Sequence, residues 1–251
     1  MTALETILQH KTIRKFKSDA IPEDILNSIL EAGSRAATTG NMQVYSIIVT
    51  REQNIKNQLL PLHFGQKMIV EAPVVLTFCA DFNRFIHWCN LRNANPGYDN
   101  FLSFMTAAID ALLAAQNCVV AAEHFGLGTV YLGTTTYTAN KIIDVLKLPK
   151  GVVPITTVVI GYPDETPPLT DRLPMRAVVH YETYNAFDDS TINNLYSEKE
   201  NSDEYKKFVT DSNVDNLAQV FTQKRYTKAD NVAFSKVFLE VLQKQGFMNN
   251  D

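Results

Sequence analysis

The stretch "APVVLTFCA", residues 72–80, is a nearly continuous apolar run with no alternation of polar and apolar positions. A strand with one wet face alternates; a run like this one implies a strand in a sheet covered on both faces. Three further segments read as strands: "VYSIIVT" (44–50), rich in β-branched residues, "TVYLG" (129–133) and "VVPITTVVIGY" (152–162). Helical signals lie between and around them. "TALETILQ" places Leu4, Ile7 and Leu8 at helical spacing behind a Thr2–Glu5 capping box. In "IPEDILNSILEAGSRAA", Pro22, Glu23 and Asp24 suit a first turn, and Ile25, Ile29, Leu30 and Ala36 keep the helical period. "TANKIIDVLKL" (138–148) reads as a helix stopped by Pro149 and Gly151, and Phe234, Val237, Phe238, Val241 and Leu242 mark a last helix.

The longest apolar stretch is "FLSFMTAAIDALLAAQNCVVAAEHF" (101–125). It has the length of a membrane span, but Asp110, Gln116, Asn117 and Glu123 interrupt it, and a carboxylate in mid-span is expensive. It reads as a buried helix of a soluble protein. Its alanines would let another helix approach closely, from the same domain or from a second subunit. Beyond residue 163 the texture changes: "PDETPPLTDRLP" holds four prolines and suits an ordered loop or arm, and 185–215, with "SEKENSDE" at its centre, reads as a mobile polar excursion. The expectation is one α+β domain over 1–251 with a variable C-terminal excursion at about 185–228.

Composition narrows the function. The chain has 251 residues, 45% hydrophobic, enough for a full core. Its net charge of -4 argues against a general nucleic-acid binder. Three cysteines (Cys79, Cys89, Cys118) form no CxxC pair, and Glu5 stands where a signal peptide would be apolar, so a cytoplasmic protein is expected. "GLGTVYLG" (126–133) ends a helix and leads into a strand, the reverse of a dinucleotide fingerprint; a helix C-cap explains Gly126. His63, His87 and Cys89 lack metal-site spacing, and no GxSxG elbow is present. Dispersed polar pieces remain: the basic segment 10–15, "TTGNMQ" (38–43), Gln66, the turn after Gly133, and Arg172. They suit a phosphorylated, hydrogen-bond-rich ligand, although from the residues alone scattered arginines and threonines more often form an ordinary polar surface. A redox cofactor would explain why no acid, base or nucleophile stands out.

Taken together, these pieces resemble the FMN-dependent nitroreductase and flavin reductase family, in its oxygen-insensitive NAD(P)H nitroreductase branch. "HKTIRKF" (10–16), "SRAATTGNMQ" (34–43), "GQKMIVEAPVVLTFCADFNR" (65–84), "GLGTVYLG", "LKLPKGVVPITTVVIGYP" (146–163) and "RLP" (172–174) follow the family's order. The resemblance implies an α+β sandwich, a central, mostly antiparallel sheet flanked by helices, built as an intertwined homodimer with FMN at the interface. It gives His10, Lys11, Thr12 and Arg14 to the FMN phosphate and ribityl chain, and Arg172 to a second phosphate contact. Thr38 and Thr39, with Asn41 and Gln43 nearby, match positions supplied by the partner subunit. Gln66 matches a contact to the flavin ring, and Tyr131, Leu132, Gly133 and Thr134 the segment beside it. Lys15 matches no ligand position, and Phe16 is expected in the core.

The implied activity passes hydride from NADPH or NADH through FMN to a nitroaromatic, quinone or free flavin by a ping-pong mechanism, with no catalytic side chain required. Two departures stand out. Thr170, followed by acidic Asp171, occupies the position two residues before Arg172 where the branch has a lysine, and "VTDSNVDN" (209–216) carries Asp211 and Asp215 where NADPH-using members have arginines. The choice between NADPH and NADH therefore stays open. So do a non-catalytic FMN-binding or sensory protein, and different flavin chemistry such as reductive dehalogenation.

Overall fold

The computed structural model describes residues 2–249 and divides into two compact units, one built from residues up to Pro168 together with Phe234 onward, the other from Leu169–Ala233. The first unit is organised on four strands, β1 (Tyr45–Thr50), β2 (Val74–Asp81), β3 (Gly128–Leu132) and β4 (Val152–Gly161), in the order β1-β2-β4-β3 with every pairing antiparallel. Its helices are α1 (Ala3–Leu8), α2 (Glu23–Ser34), α3 (Gln53–Leu59), α4 (Met68–Glu71), α5 (Asn83–Asn90), α6 (Phe101–His124) and α7 (Ala139–Leu146).

All eight residues of β2 are buried, as its unbroken apolar pattern requires. Strand alternation splits them between two layers. Val74, Leu76 and Phe78 face a core formed with Leu26 and Ile29 of α2 and Ala111, Ala114, Cys118 and Ala122 of α6. Val75 faces the opposite core with Leu59 of α3, Ile69 of α4 and Ile142 of α7. Each such side chain contributes about 1.5–3 kcal/mol of burial. The alanines of α6 are used within the chain: at Gly33 of α2 a Cβ would fall 2.4 Å from Cys118 Sγ and 3.3 Å from the Ala114 carbonyl.

The capping box on α1 forms, with Thr2 and Glu5 reciprocally bonded, yet Leu4, Ile7 and Leu8 are exposed. Asn100 caps α6, accepting from the Ser103 N–H at 3.0 Å. Gly126 ends it with φ 78°, and Leu127 N donates to Ala122 O at 3.0 Å, a Schellman closure. By length and composition α6 could cross a bilayer, but half of it is covered inside this unit, including Asp110 at 1% exposure. Its other side leaves Leu102, Met105, Ile109, Leu112 and Leu113 exposed.

In the second unit, α8 (Asp189–Asn201) and α9 (Asp203–Ser212) occupy the stretch read from sequence as a mobile excursion, and α10 (Leu217–Gln219) runs into a π-helical turn over Val220–Arg225. Two polar residues of that stretch are helix caps: Asp188 accepts from Thr191 N at 2.7 Å and Ser202 from Tyr205 N at 3.4 Å. Asp171 gathers Lys199 Nζ and the Tyr205 hydroxyl, each at 2.8 Å, and that pairing holds its carboxyl below the usual carboxylate range. The last helix, α11 (Lys228–Gln245), contributes its residues from Phe234 onward to the first unit.

Candidate functional site

The basic segment 10–16 follows α1 and runs beside β3. Thr12 bridges Thr129 in parallel register, and Ile13 N donates to Thr129 O at 2.9 Å. Ile13 and Phe16 turn into the core at 6% and 8% exposure. Lys11 and Thr12 are half-buried, and Arg14 and Lys15 are exposed. Inward Ile13 is thus the peg that orients its cationic neighbours outward. The fit is close, because a Cβ on Gly128 would lie 2.7–2.9 Å from three Ile13 atoms. Beyond Ile13, the backbone N–H groups of Arg14 and Lys15 both donate to Glu165 Oε1, leaving the two side chains on the surface.

His10 is fixed differently. Its Nδ1 lies 2.7 Å from Glu123 Oε1 near the end of α6, and Thr129 Oγ1 donates to the same oxygen at 2.7 Å. At the far end of β3, the Tyr131 hydroxyl donates to Gln116 at 3.2 Å, and burial, its largest influence, pushes the phenol pKa up. Leu132 is buried, while Gly133 is exposed with nothing within 4 Å of where a Cβ would stand, so a ligand can approach its main chain closely.

Thr134 Oγ1 and His63 Nδ1 are 2.8 Å apart, and Thr138 Oγ1 donates to Leu62 O at 2.8 Å. These two bonds staple the 133–138 turn to the 60–66 loop that carries half-buried Gln66. His63 is fully buried, and burial lowers its pKa to about 4, so it is a neutral imidazole at ordinary pH. The loop turns through Phe64 at φ 56° and Gly65 at φ 71°. For a phenylalanine that conformation costs about 1–2 kcal/mol.

The hydroxyl-rich loop is anchored elsewhere. Thr39 donates from its N–H and its hydroxyl to Asp110 Oδ1, at 3.0 and 3.3 Å, while Thr38 beside it is half-buried. Gly40, Asn41 and Gln43 all have φ near 55°. Gln43 donates to Asn41 Oδ1 at 3.3 Å, and the Arg84 guanidinium holds the Gln43 carbonyl. A cleft of 530 Å³ opens here along the edge of β1, lined by Gln43, Tyr45, Ser46 and Arg84 among others. Asp110 and Glu123 lie on one helix thirteen residues apart, so the anchors of Thr39 and His10 are separated by about 20 Å.

The fold therefore brings His10, Lys11, Thr12, Arg14, Tyr131, Leu132, Gly133 and Thr134 along one strand edge, with Gln66 stapled to its end. It keeps Thr38, Thr39, Asn41 and Gln43 on a separate anchor. Arg172 belongs to the second unit, where it donates to the carbonyls of Thr170 and Asp171 at 3.3 and 2.9 Å. Glu123, Asp110 and His63 were not read from sequence as site residues. For the two acids the signal was present: each breaks an otherwise apolar helix, and a buried carboxylate needs donors. His63 gave no such signal.

An α+β sandwich with cations, hydroxyls and open main chain at one strand edge offers donors of the kind a phosphorylated cofactor with a hydrogen-bonding ring requires. The donor set fits FMN: Lys11 and Arg14 suit its phosphate, and Gly133 and Gln66 suit a flat polar ring. The chain belongs to the Nitroreductase family, whose model matches residues 7–162. It is 32% identical over 246 residues to the FMN reductase (NAD(P)H) of Bacillus subtilis (strain 168), covering 97% of each chain. It is 32% identical over 189 residues to the oxygen-insensitive NADPH nitroreductase of Salmonella typhimurium LT2, covering 75% of this chain and 77% of that one. A crystallised protein of Bacteroides fragilis NCTC 9343 superposes with a TM-score of 0.96 at 51% identity, over 98% of this chain and 100% of that one. The protein is an NAD(P)H-dependent oxidoreductase that uses FMN.

Proposed function

We propose that the chain acts as a homodimer that reduces nitroaromatics, quinones or free flavins with NAD(P)H in ping-pong order, each FMN being held by residues of both subunits. FMN, when bound, supplies the hydride-accepting and hydride-donating centre. The protein's part is to bind and to align donor and acceptor in turn on one site, within about 3–3.5 Å of the reacting atom. Lys11 and Arg14 would neutralise the phosphate, Thr12 and His10 would bond the ribityl chain, and Gln66 and the main chain at Gly133–Thr134 would fix the ring.

The observation that carries this reading is the separation of about 20 Å between the Thr39 and His10 anchors on α6. One chain hangs the two parts of the donor set on separate anchors, an arrangement that supports a site completed by a second chain. A second chain seated on the exposed Leu102, Met105, Ile109, Leu112 and Leu113 face of α6 would supply the missing hydroxyls. Three buried, unpaired cysteines support a reducing, cytoplasmic setting.

The test is anaerobic mixing of the FMN-loaded protein with NADPH or NADH while visible flavin absorbance is followed. Rapid bleaching by either supports the reading, and the faster donor reports what Asp211 and Asp215 do to nucleotide choice. Bound FMN that neither nucleotide bleaches would retire it in favour of a non-catalytic flavin protein. Sedimentation at micromolar concentration reads the dimer in the same preparation.

A further inference from the structure

Three aromatic rings meet at the mouth of the stapled loops. Tyr137 and Phe234 stack nearly parallel, with centroids 4.3 Å apart and planes 7° apart. Phe64 lies beside both, its centroid 6.3 Å from Tyr137 and 6.1 Å from Phe234. Phe78, Phe82 and Phe247 are at most 1% exposed, whereas Phe64 is 56% exposed. Its backbone is in the left-handed region, where a bulky side chain is disfavoured. A chain that needed only a turn here would place glycine or asparagine at this position and gain stability. Strain of this kind, held by surrounding bonds, gathers where a ligand is gripped. The bonds are present: Phe64 N donates to Pro61 O and Gly65 N to Leu60 O.

Position gives the rings a role. Phe64 stands two residues before Gln66, and Tyr137 three after Thr134, on the two loops that His63–Thr134 and Thr138–Leu62 hold together. We propose that Phe64, Tyr137 and Phe234 form an aromatic shelf that selects flat, electron-poor aromatic acceptors for the reduced enzyme. This rests on the function proposed above and names residues that discriminate among its acceptors. Quinones and nitroaromatics have electron-deficient faces that stack, offset, on the electron-rich faces of phenylalanine and tyrosine. A compact anion such as ferricyanide has no such face and draws nothing from the shelf. The half-buried Tyr137–Phe234 pair gives the shelf a rigid floor, and Phe64 is its exposed rim.

The experiment uses Phe64→Leu, which keeps an apolar side chain and removes the ring, and Phe64→Tyr, which restores a ring. Menadione is titrated into the oxidised FMN-loaded protein and its dissociation constant read from the flavin absorbance change. Phe64→Leu should weaken menadione about three- to tenfold, the size of one lost aromatic pair. Phe64→Tyr should stay within about twofold of wild type, as should reoxidation of the dithionite-reduced Phe64→Leu protein by ferricyanide. Unchanged menadione affinity in Phe64→Leu overturns the shelf. So does an equal loss with ferricyanide, or a change in sedimentation that shows the ring to be a subunit contact. Wild-type protein whose flavin neither nucleotide bleaches overturns the proposed function itself, a separate reading from the menadione titration.

Discussion

His10 Nδ1 and Glu123 Oε1 lie 2.7 Å apart, and the same carboxylate oxygen accepts from Thr129 at 2.7 Å. One side chain of α6 thereby fixes the first residue of the basic segment against β3. A carboxylate can only accept, so the imidazole donates from Nδ1 and its ring plane is set. Glu123→Ala should weaken FMN about tenfold, read by flavin fluorescence. It should also cost about 1–3 kcal/mol in urea unfolding, because the buried Thr129 hydroxyl loses its partner. Glu123→Gln keeps an acceptor for Thr129 without the charge and should recover most of the stability but only part of the affinity. Wild-type FMN affinity in Glu123→Ala would separate His10 from the cofactor.

Arg14 and Lys15 form an internal comparison. Both are exposed, and both have their N–H on Glu165. The resemblance assigns a ligand role to Arg14 alone. Arg14→Ala should lose a charge-assisted contact of about 1.5–3 kcal/mol, a ten- to hundredfold drop in FMN affinity. Lys15→Ala should change it less than about threefold. Equal losses would mean that a general positive field, and not a fork on phosphate, holds the cofactor.

The parts of this molecule that could be read from sequence are those where local chemistry agrees with the tertiary result. β2 announced itself because each of its residues is buried, and Gly126 because only a left-handed C-cap explains it. The basic segment was legible through its resemblance to a family motif, whereas the inward turn of Ile13 that orients it came from the fold. The helices α8 and α9 were not legible. Their caps, Asp188 and Ser202, carry the composition of a loop, and α8 buries only Leu195 among the described residues. The division of the site came only from the resemblance, which gave Thr38 and Thr39 to a partner subunit, and not from any pattern along the chain. That Thr39 and His10 hang on one helix about 20 Å apart follows from contacts between segments far apart in sequence. His63 stayed hidden because burial and a single hydroxyl partner leave no pattern along the chain.

The close approach of Gly128 to Ile13 links packing to the site. A Cβ at 2.7–2.9 Å from Ile13 Cγ1, Cβ and Cγ2 cannot be absorbed by a flexible tip, since one of these atoms is the Cβ itself. Gly128→Ala should push the 12–14 strand away from β3 and cost about 1–3 kcal/mol, the usual penalty of overpacking. FMN affinity should fall with stability, because Thr12 and Arg14 flank the displaced residue. Adding Ile13→Val should rescue neither, because valine keeps the Cβ and both Cγ positions that the new methyl meets. Full FMN affinity in a destabilised Gly128→Ala would show that the segment's register does not matter to the cofactor.

His63 makes stability depend on pH with a definite sign. Its pKa is lowered from about 6.5 in the unfolded chain to about 4 in the fold, so the unfolded state binds the extra proton first as pH falls. The stabilisation is therefore fully present above pH 6.5 and is lost as pH drops through that value toward 4. A displacement of this size is worth about 3 kcal/mol by pH 4. His63→Asn can still bond Thr134 but does not titrate. Urea unfolding at pH 7.5 and at pH 4 should show wild type losing about 3 kcal/mol more than His63→Asn between the two conditions. The imidazolium must carry an N–H on buried Nε2, which has no hydrogen-bond partner, so wild-type FMN release should steepen below pH 5 while that of the variant stays flatter. Parallel pH profiles for the two proteins would mean that His63 is protonated, or solvated, in the native state after all.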